Sequence, residues 1–220
     1  LTSTANAAAQ IVYNAIDNTF GSITETAVSN STVNIDHDGA MTAVAVTLNI
    51  SGTGDTEYDG KIDASGAVAV TATGSGTVLF NDIDADGSSA SVNVDASGMT
   101  GTIDADATNS TVASTLTGGS GADSLIGGSE SDTITGNAGA DTLTGLAGND
   151  TITGGAGADS ISGGAGNDSL VGGDGADTII SGAGFDTITG GAGNDTFTIA
   201  ANMSLSDNID GGDGTDSITA

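Results

Sequence analysis

The chain has no cysteine, no proline and no tryptophan, and one basic residue, Lys61, stands against 29 acidic ones. Each lack narrows the field. Without cysteine there are no disulfides, a pattern that fits secreted proteins held together by metal instead. A formal charge of −28 excludes nucleic acid and anionic membrane as electrostatic partners. Nowhere do about 18 apolar residues run together, so no membrane insertion is expected. Aromatics make up 3% of the residues, too few to hold so acidic a chain together against its own repulsion. Without a counter-cation it is expected to be unfolded. One histidine (His37), one lysine and no arginine leave no catalytic constellation, and H-E-x-x-H and G-x-S-x-G are absent. The segment therefore reads as no enzyme. No leader is legible at Leu1, so the sequence reads as a fragment or processed product of something longer.

What is abundant is glycine, and from Gly118 to Thr198 it is periodic. Read in nines, the text runs GGSGADSLI, GGSESDTIT, GNAGADTLT, GLAGNDTIT, GGAGADSIS, GGAGNDSLV, GGDGADTII, SGAGFDTIT and GGAGNDTFT; a tenth unit, GGDGTDSIT, starts at Gly211. Repetition at a fixed period decides the architecture before any other signal. The first six residues of each unit, Gly-Gly-x-Gly-x-Asp, predict a tight turn, because glycine reaches φ > 0 without strain. The last three set one apolar side chain between two small polar ones, a very short strand with one residue facing in. The inward residues are Leu125, Ile134, Leu143, Ile152, Ile161, Leu170, Ile179, Ile188 and Phe197. Two strands and two turns close a coil of 18 residues, and stacked coils bury a continuous apolar file.

Each turn ends in an aspartate, and alternate turns stack on one edge about 4.8 Å apart. Two files of like charge at that spacing repel strongly unless a cation lies between them. The ligands on offer are carboxylate and carbonyl oxygens, a set that suits Ca²⁺ rather than zinc or copper.

The nonapeptide resembles the RTX (repeats-in-toxin) family, whose Gly-Gly-x-Gly-x-Asp-x-apolar-x unit forms a calcium-bound parallel β-roll. The resemblance rests on nine consecutive copies plus one. It implies cages in which one turn gives the carbonyls of its second and fourth positions and its Asp. The next turn on that edge gives the carbonyls of its first and third positions and its Asp. One cage would be Gly119, Gly121 and Asp123 with Gly136, Ala138 and Asp141; another, Gly155, Gly157 and Asp159 with Gly172, Asp174 and Asp177. The scheme repeats through Asp132, Gly139, Gly145, Ala147, Gly148, Asp150, Gly154, Ala156, Gly163, Gly164, Ala165, Gly166, Asp168, Gly173, Gly175, Ala183, Asp186, Gly190, Ala192 and Asp195, and the tenth unit adds Asp213 and Asp216. Five turns on one edge and four on the other leave about seven inter-turn sites, and that many Ca²⁺ would cancel about half the net charge. Four residues depart from the pattern: Asn137 and Leu146 at second positions, Glu130 at a fourth and Ser181 at a first. Asn tolerates left-handed backbone, whereas Leu and Glu do not readily, so the cages through Glu130 and Leu146 are expected to be the weakest. A disordered Gly/Asp-rich linker is the bland alternative, but linkers do not keep an apolar residue in register nine times.

Four segments are expected. Residues 1–19 contain the one stretch with helical spacing (Ile11, Ala15 and Asn18, or Val12 and Ile16) and read as a helical cap. Residues 20–117 alternate in short runs without the nonapeptide and read as an irregular parallel β-helix continuous with the roll. An antiparallel sandwich is the alternative, which the lack of proline and of Asn-Gly turns disfavours. Residues 118–198 are the roll, and 199–220 an insertion, in which Asn202, Met203, Leu205 and Ile209 form a bulge or widened coil, followed by the tenth unit. The whole is an all-β, right-handed parallel β-solenoid. Asp82-Ile83-Asp84-Ala85-Asp86-Gly87 spells the opening of a calcium loop, but Asn93 stands where its closing acid is needed. These aspartates, like Asp36-His37-Asp38, read first as solvated turns.

The resemblance also implies an extracellular, secreted or cell-surface setting reached by type I secretion. A Thr/Ala/Ser/Val-rich β region passing into nonapeptides is similar to RTX-type surface-layer proteins and large adhesins. The partners implied are calcium, copies of the chain itself and cell-surface polysaccharide. Alternatives are an adhesin stalk, the tail of a secreted hydrolase, or an ice-binding module presenting Thr142/Thr144, Thr151/Thr153, Thr187/Thr189 and Thr196/Thr198; threonine equally suits any exposed strand position.

Overall fold

The structure is a computed structural model that describes residues 2–5, 10–14, 24–27, 31–36, 46–52, 56–58, 62–64, 66–85, 91–199 and 207–219. Ahead of residue 66 the description is of backbone pairing, with the side chains of Ile50 and Ile62.

Apolar residues alternating with small polar ones make strands that must stack to bury anything, and these stack in parallel. Among the described residues one sheet has nine strands, Val46–Gly52, Val68–Gly74, Val92–Met99, Ser114–Thr117, Thr133–Ala138, Thr151–Ala156, Ser169–Asp174, Thr187–Ala192 and Asn208–Asp213, each beside the next. The facing sheet has eleven, from Gln10–Asn14 to Ser217–Thr219, and its rungs alternate with those of the first along the chain. Every pairing is parallel, as a β-solenoid requires and an antiparallel sandwich forbids. Before the repeats the coil is wider and uneven: Val46 lies against Val68, Val68 against Val92 and Val92 against Ser114. A small third sheet, Ile62–Ala64 against Ile83–Ala85, takes up the extra length there. From Thr115 the step settles at 18 until the last coil, where it widens to 21, with Thr115 on Thr133, Thr133 on Thr151 and Thr187 on Asn208.

Two files of side chains fill the roll. Leu116, Ile134, Ile152, Leu170 and Ile188 line up from one sheet, Leu125, Leu143, Ile161, Ile179 and Phe197 from the other, and all are buried. Ile161→Ala in the calcium-saturated chain is expected to cost about 2–5 kcal/mol, since the neighbours above and below fix the hole; a urea titration measures it.

Three expectations need correcting. No helix occurs among the described residues. Where residues 2–18 predict one, Thr2–Ala5 pairs with Thr24–Ala27 and Gln10–Asn14 with Ser31–Asp36. The run Ile11-Val12-Tyr13 is β-branched and aromatic, and pairing in register with Val33 to Ile35 outweighs a helical spacing carried mostly by alanine. The seven strands from Thr133–Ala138 to Thr187–Ala192 are also twice as long as their apolar triplets suggest. Thr151–Ala156 continues through Gly154 and Gly155, because Gly155 and Ala156 pair with Asn137 and Ala138 one coil below. Finally, Asp82 to Ala85 is not the solvated turn expected: Ile83–Ala85 is a strand with Ile83 and Ala85 buried, and Asp82 Oδ1 accepts from Asn109 Nδ2 at 3.1 Å. Asp86, Gly87, His37, Asn202, Met203 and Leu205 lie outside the described residues.

Candidate metal centre: the aspartate files

The turn aspartates are almost wholly buried. Asp141, Asp150, Asp177 and Asp195 each keep 1% of their surface. They stack into two files, and every link has one form. The backbone N–H of one aspartate donates to Oδ1 of the aspartate a coil above. Asp123 donates to Asp141 at 2.8 Å, Asp141 to Asp159 at 2.9 Å, Asp159 to Asp177 at 2.8 Å and Asp177 to Asp195 at 2.9 Å. On the other edge Asp132, Asp150, Asp168 and Asp186 make the same chain. Below the first repeat the donors are Ile103 and Ser114, which carry no carboxylate.

Glycine does two jobs here. Left-handed backbone occurs at the second and fourth positions of the later turns, for example Gly155 and Gly157 at φ 119° and 141°. The first-position glycines need no such freedom; they make room. A Cβ on Gly154 would overlap Oδ2 of its own Asp159, and the same holds at Gly136, Gly145, Gly172 and Gly190. Asn137 and Leu146 do enter the left-handed region, at φ 77° and 80°, whereas Glu130 does not.

Oδ2 is the atom that asks for a ligand. In Asp141, Asp150, Asp159, Asp168, Asp177 and Asp195 it is buried and accepts no hydrogen bond. A buried carboxylate oxygen left uncompensated is costly, and six in stacked turns find no cationic side chain among the described residues. The described residues hold no group of three or more carboxylate or imidazole side chains that could grip a metal. A cage must therefore combine two stacked carboxylates with turn carbonyls. A hard, oxygen-seeking cation of flexible coordination fits that donor set.

Burial also shifts the acids. It pushes the carboxyls of Asp141, Asp150 and Asp177 up to about 6, and the like charges of their file neighbours add to it. Asp159 and Asp168 are raised by the same loss of water. A carboxyl that holds its proton more tightly when folded favours folding below its unfolded value of 3.8, and that contribution is lost as pH rises through about 6. In chelator, the chain is expected to gain β-structure by circular dichroism between pH 7.5 and pH 5. Calcium affinity should fall over the same interval, as protons claim the same oxygens. Identical spectra at the two pH values would contradict the buried files.

Sequence reasoning missed Asp207. The tenth unit does not sit over the eighth: Gly212 pairs with Gly191 and Ser217 with Thr196, both above the ninth. On the opposite edge Asp207 Oδ1 accepts from the N–H of Asp186 at 3.1 Å and so continues that file. Asp207-Asn208-Ile209-Asp210 is a worn copy of the Asp-x-apolar-x half-unit, legible once the glycines are no longer demanded. Asparagines at the fifth position form a further ladder, Asn149 Oδ1 accepting from Asn167 N–H at 2.8 Å and Asn167 Oδ1 from Phe185 N–H at 2.9 Å.

Fold and site together define a parallel β-roll whose turns carry stacked, buried aspartates. The model of the RTX calcium-binding nonapeptide repeat matches residues 117–152, 135–170, 144–179, 171–198 and 204–220, and this carboxy-terminal part of the chain carries those repeats. The repeats make it a calcium-binding segment. Residues 1–116 lie outside the match. No curated protein and no solved structure matches the chain. No described helix is long and apolar enough to cross a membrane.

Proposed function

We propose that this chain is a structural part of a secreted cell-surface protein of the surface-layer or filament kind, whose roll folds around calcium and then joins copies of itself. The observation that carries the reading is the row of buried, unpartnered Oδ2 atoms on Asp141, Asp150, Asp159, Asp168, Asp177 and Asp195. Calcium would lie between successive turns of one edge. Gly155, Gly157 and Asp159 would serve one such ion with Gly172, Asp174 and Asp177. Each divalent ion offsets two of the charges that keep two such chains apart, so folding and association would respond to one signal. The role would be mechanical and non-enzymatic.

The assembly step is tested by light scattering and electron microscopy across a calcium titration. Sheets or filaments that appear with calcium and dissolve in chelator are the expected result. A particle that stays monomeric at saturating calcium and high protein concentration would overturn self-assembly and leave a stalk or scaffold role.

A further inference from the structure

Turns one and two share the burial of those that follow but differ from them in what Oδ2 accepts and in backbone conformation. Gly119 N–H donates to Asp123 Oδ2 at 2.6 Å, and Gly128 N–H donates to Asp132 Oδ2 at 2.6 Å. The Oδ1 atoms of the same two residues accept from Ile103 and Ser114 at 2.9 and 2.6 Å. Both carboxylate oxygens of Asp123 and Asp132 are thus committed to backbone amides, while six aspartates higher in the files keep a buried Oδ2 with no hydrogen bond. The backbone changes at the same boundary. Left-handed residues at second and fourth positions begin with Asn137 and Gly139 and recur through Gly214; Gly119, Gly121, Gly128 and Glu130 are not among them. From Gly139 onward the fourth-position N–H donates to the third-position carbonyl one coil above, as from Gly139 to Ala156 at 2.9 Å and Gly157 to Asp174 at 2.7 Å.

Resting on the calcium reading above, we infer that turns one and two take no calcium: Asp123 and Asp132 are amide-capped anchors that fasten the roll to the metal-independent β-helix beneath it. A carboxylate that accepts two buried amide hydrogen bonds is compensated without a cation. The seam falls where the coil settles to its 18-residue step and where the aspartate files begin above Ile103 and Ser114. The anchor gives the calcium-dependent coils a preformed rung to stack on. Residues 66–135 thereby form a platform that stands without metal, and calcium adds coils from turn three upward.

Calcium stoichiometry of the full chain, read by native mass spectrometry with calcium as the probe, tests this against three variants. In Asp123→Asn/Asp132→Asn, asparagine keeps one acceptor oxygen of the two, so the number of bound ions is expected to equal wild type. Limited proteolysis in chelator is expected to leave a fragment ending near residue 135 in wild type and to erode it in this double variant. Asp159→Asn is expected to lose ions and to leave that fragment intact. If the double variant loses calcium as Asp159→Asn does, the anchor assignment is overturned and the calcium reading stands. If Asp159→Asn binds as many ions as wild type, the calcium reading itself fails. If wild type in chelator yields no fragment from the 66–135 region, the platform is overturned whatever the ion count.

Discussion

Asp159→Ala raises the calcium concentration needed for folding by about tenfold or more, whereas Thr151→Ala leaves it unchanged: that is the expected result of a calcium titration followed by circular dichroism. The difference follows from place in the coil. Asp159 lies mid-file, its Oδ1 accepting from Asp141 and its N–H donating to Asp177. It would face one ion below and one above, so alanine strips a charged ligand from two cages and breaks a link in the file. Loss of one charge-assisted contact is worth about 1.5–3 kcal/mol, and each 1.4 kcal/mol is about tenfold in an equilibrium constant. Thr151 is exposed on the strand face, where substitutions stay within about ±0.5 kcal/mol. Equal midpoints for the two variants would argue against the cages.

A second large effect is expected at the fourth-position glycines. Gly157 has φ 141° and a Cβ there would overlap the carbonyl oxygen of Gly139. Neither partner can yield, because both are backbone in adjacent coils. Gly157→Ala should therefore prevent the coils from closing even at saturating calcium, seen as loss of β-signal or of cooperative unfolding. Leu146→Gly should do the reverse. Leucine at φ 80° pays about 1–2 kcal/mol for left-handed backbone, so glycine is expected to raise the thermal midpoint. A destabilised Leu146→Gly would mean that its side chain contributes more than its backbone costs.

The roll was legible because its period is written in residues that cannot be explained otherwise. An apolar residue every nine positions names the core, and Leu125, Leu143 and Ile161 lie in one buried file as that spacing demands. The aspartates were legible as a charge problem without a cation in the sequence. Their hydrogen bonds were not, because the N–H of Asp141 meeting Oδ1 of Asp159 depends on coil stacking and not on either residue's neighbours. The glycines misled in part: second and fourth positions need positive φ, but Gly154 is small for the sake of Asp159 Oδ2. Asp207 was hidden because its half-unit keeps the acid and loses the glycines. The first segment was misread because an alanine-rich run looks helical in isolation, whereas a solenoid offers Ile11 and Tyr13 a ladder to join.

The central claim is that at neutral pH the stacked carboxylates from turn three upward hold together only around calcium. Hydrogen exchange with mass spectrometry on the full chain, in chelator and in millimolar calcium, tests it most directly. Amides of residues 136–198 are expected to exchange freely in chelator and to become strongly protected in calcium, while residues 66–117 keep their protection in both. Strong protection of 136–198 in chelator, unchanged by calcium, would contradict the account.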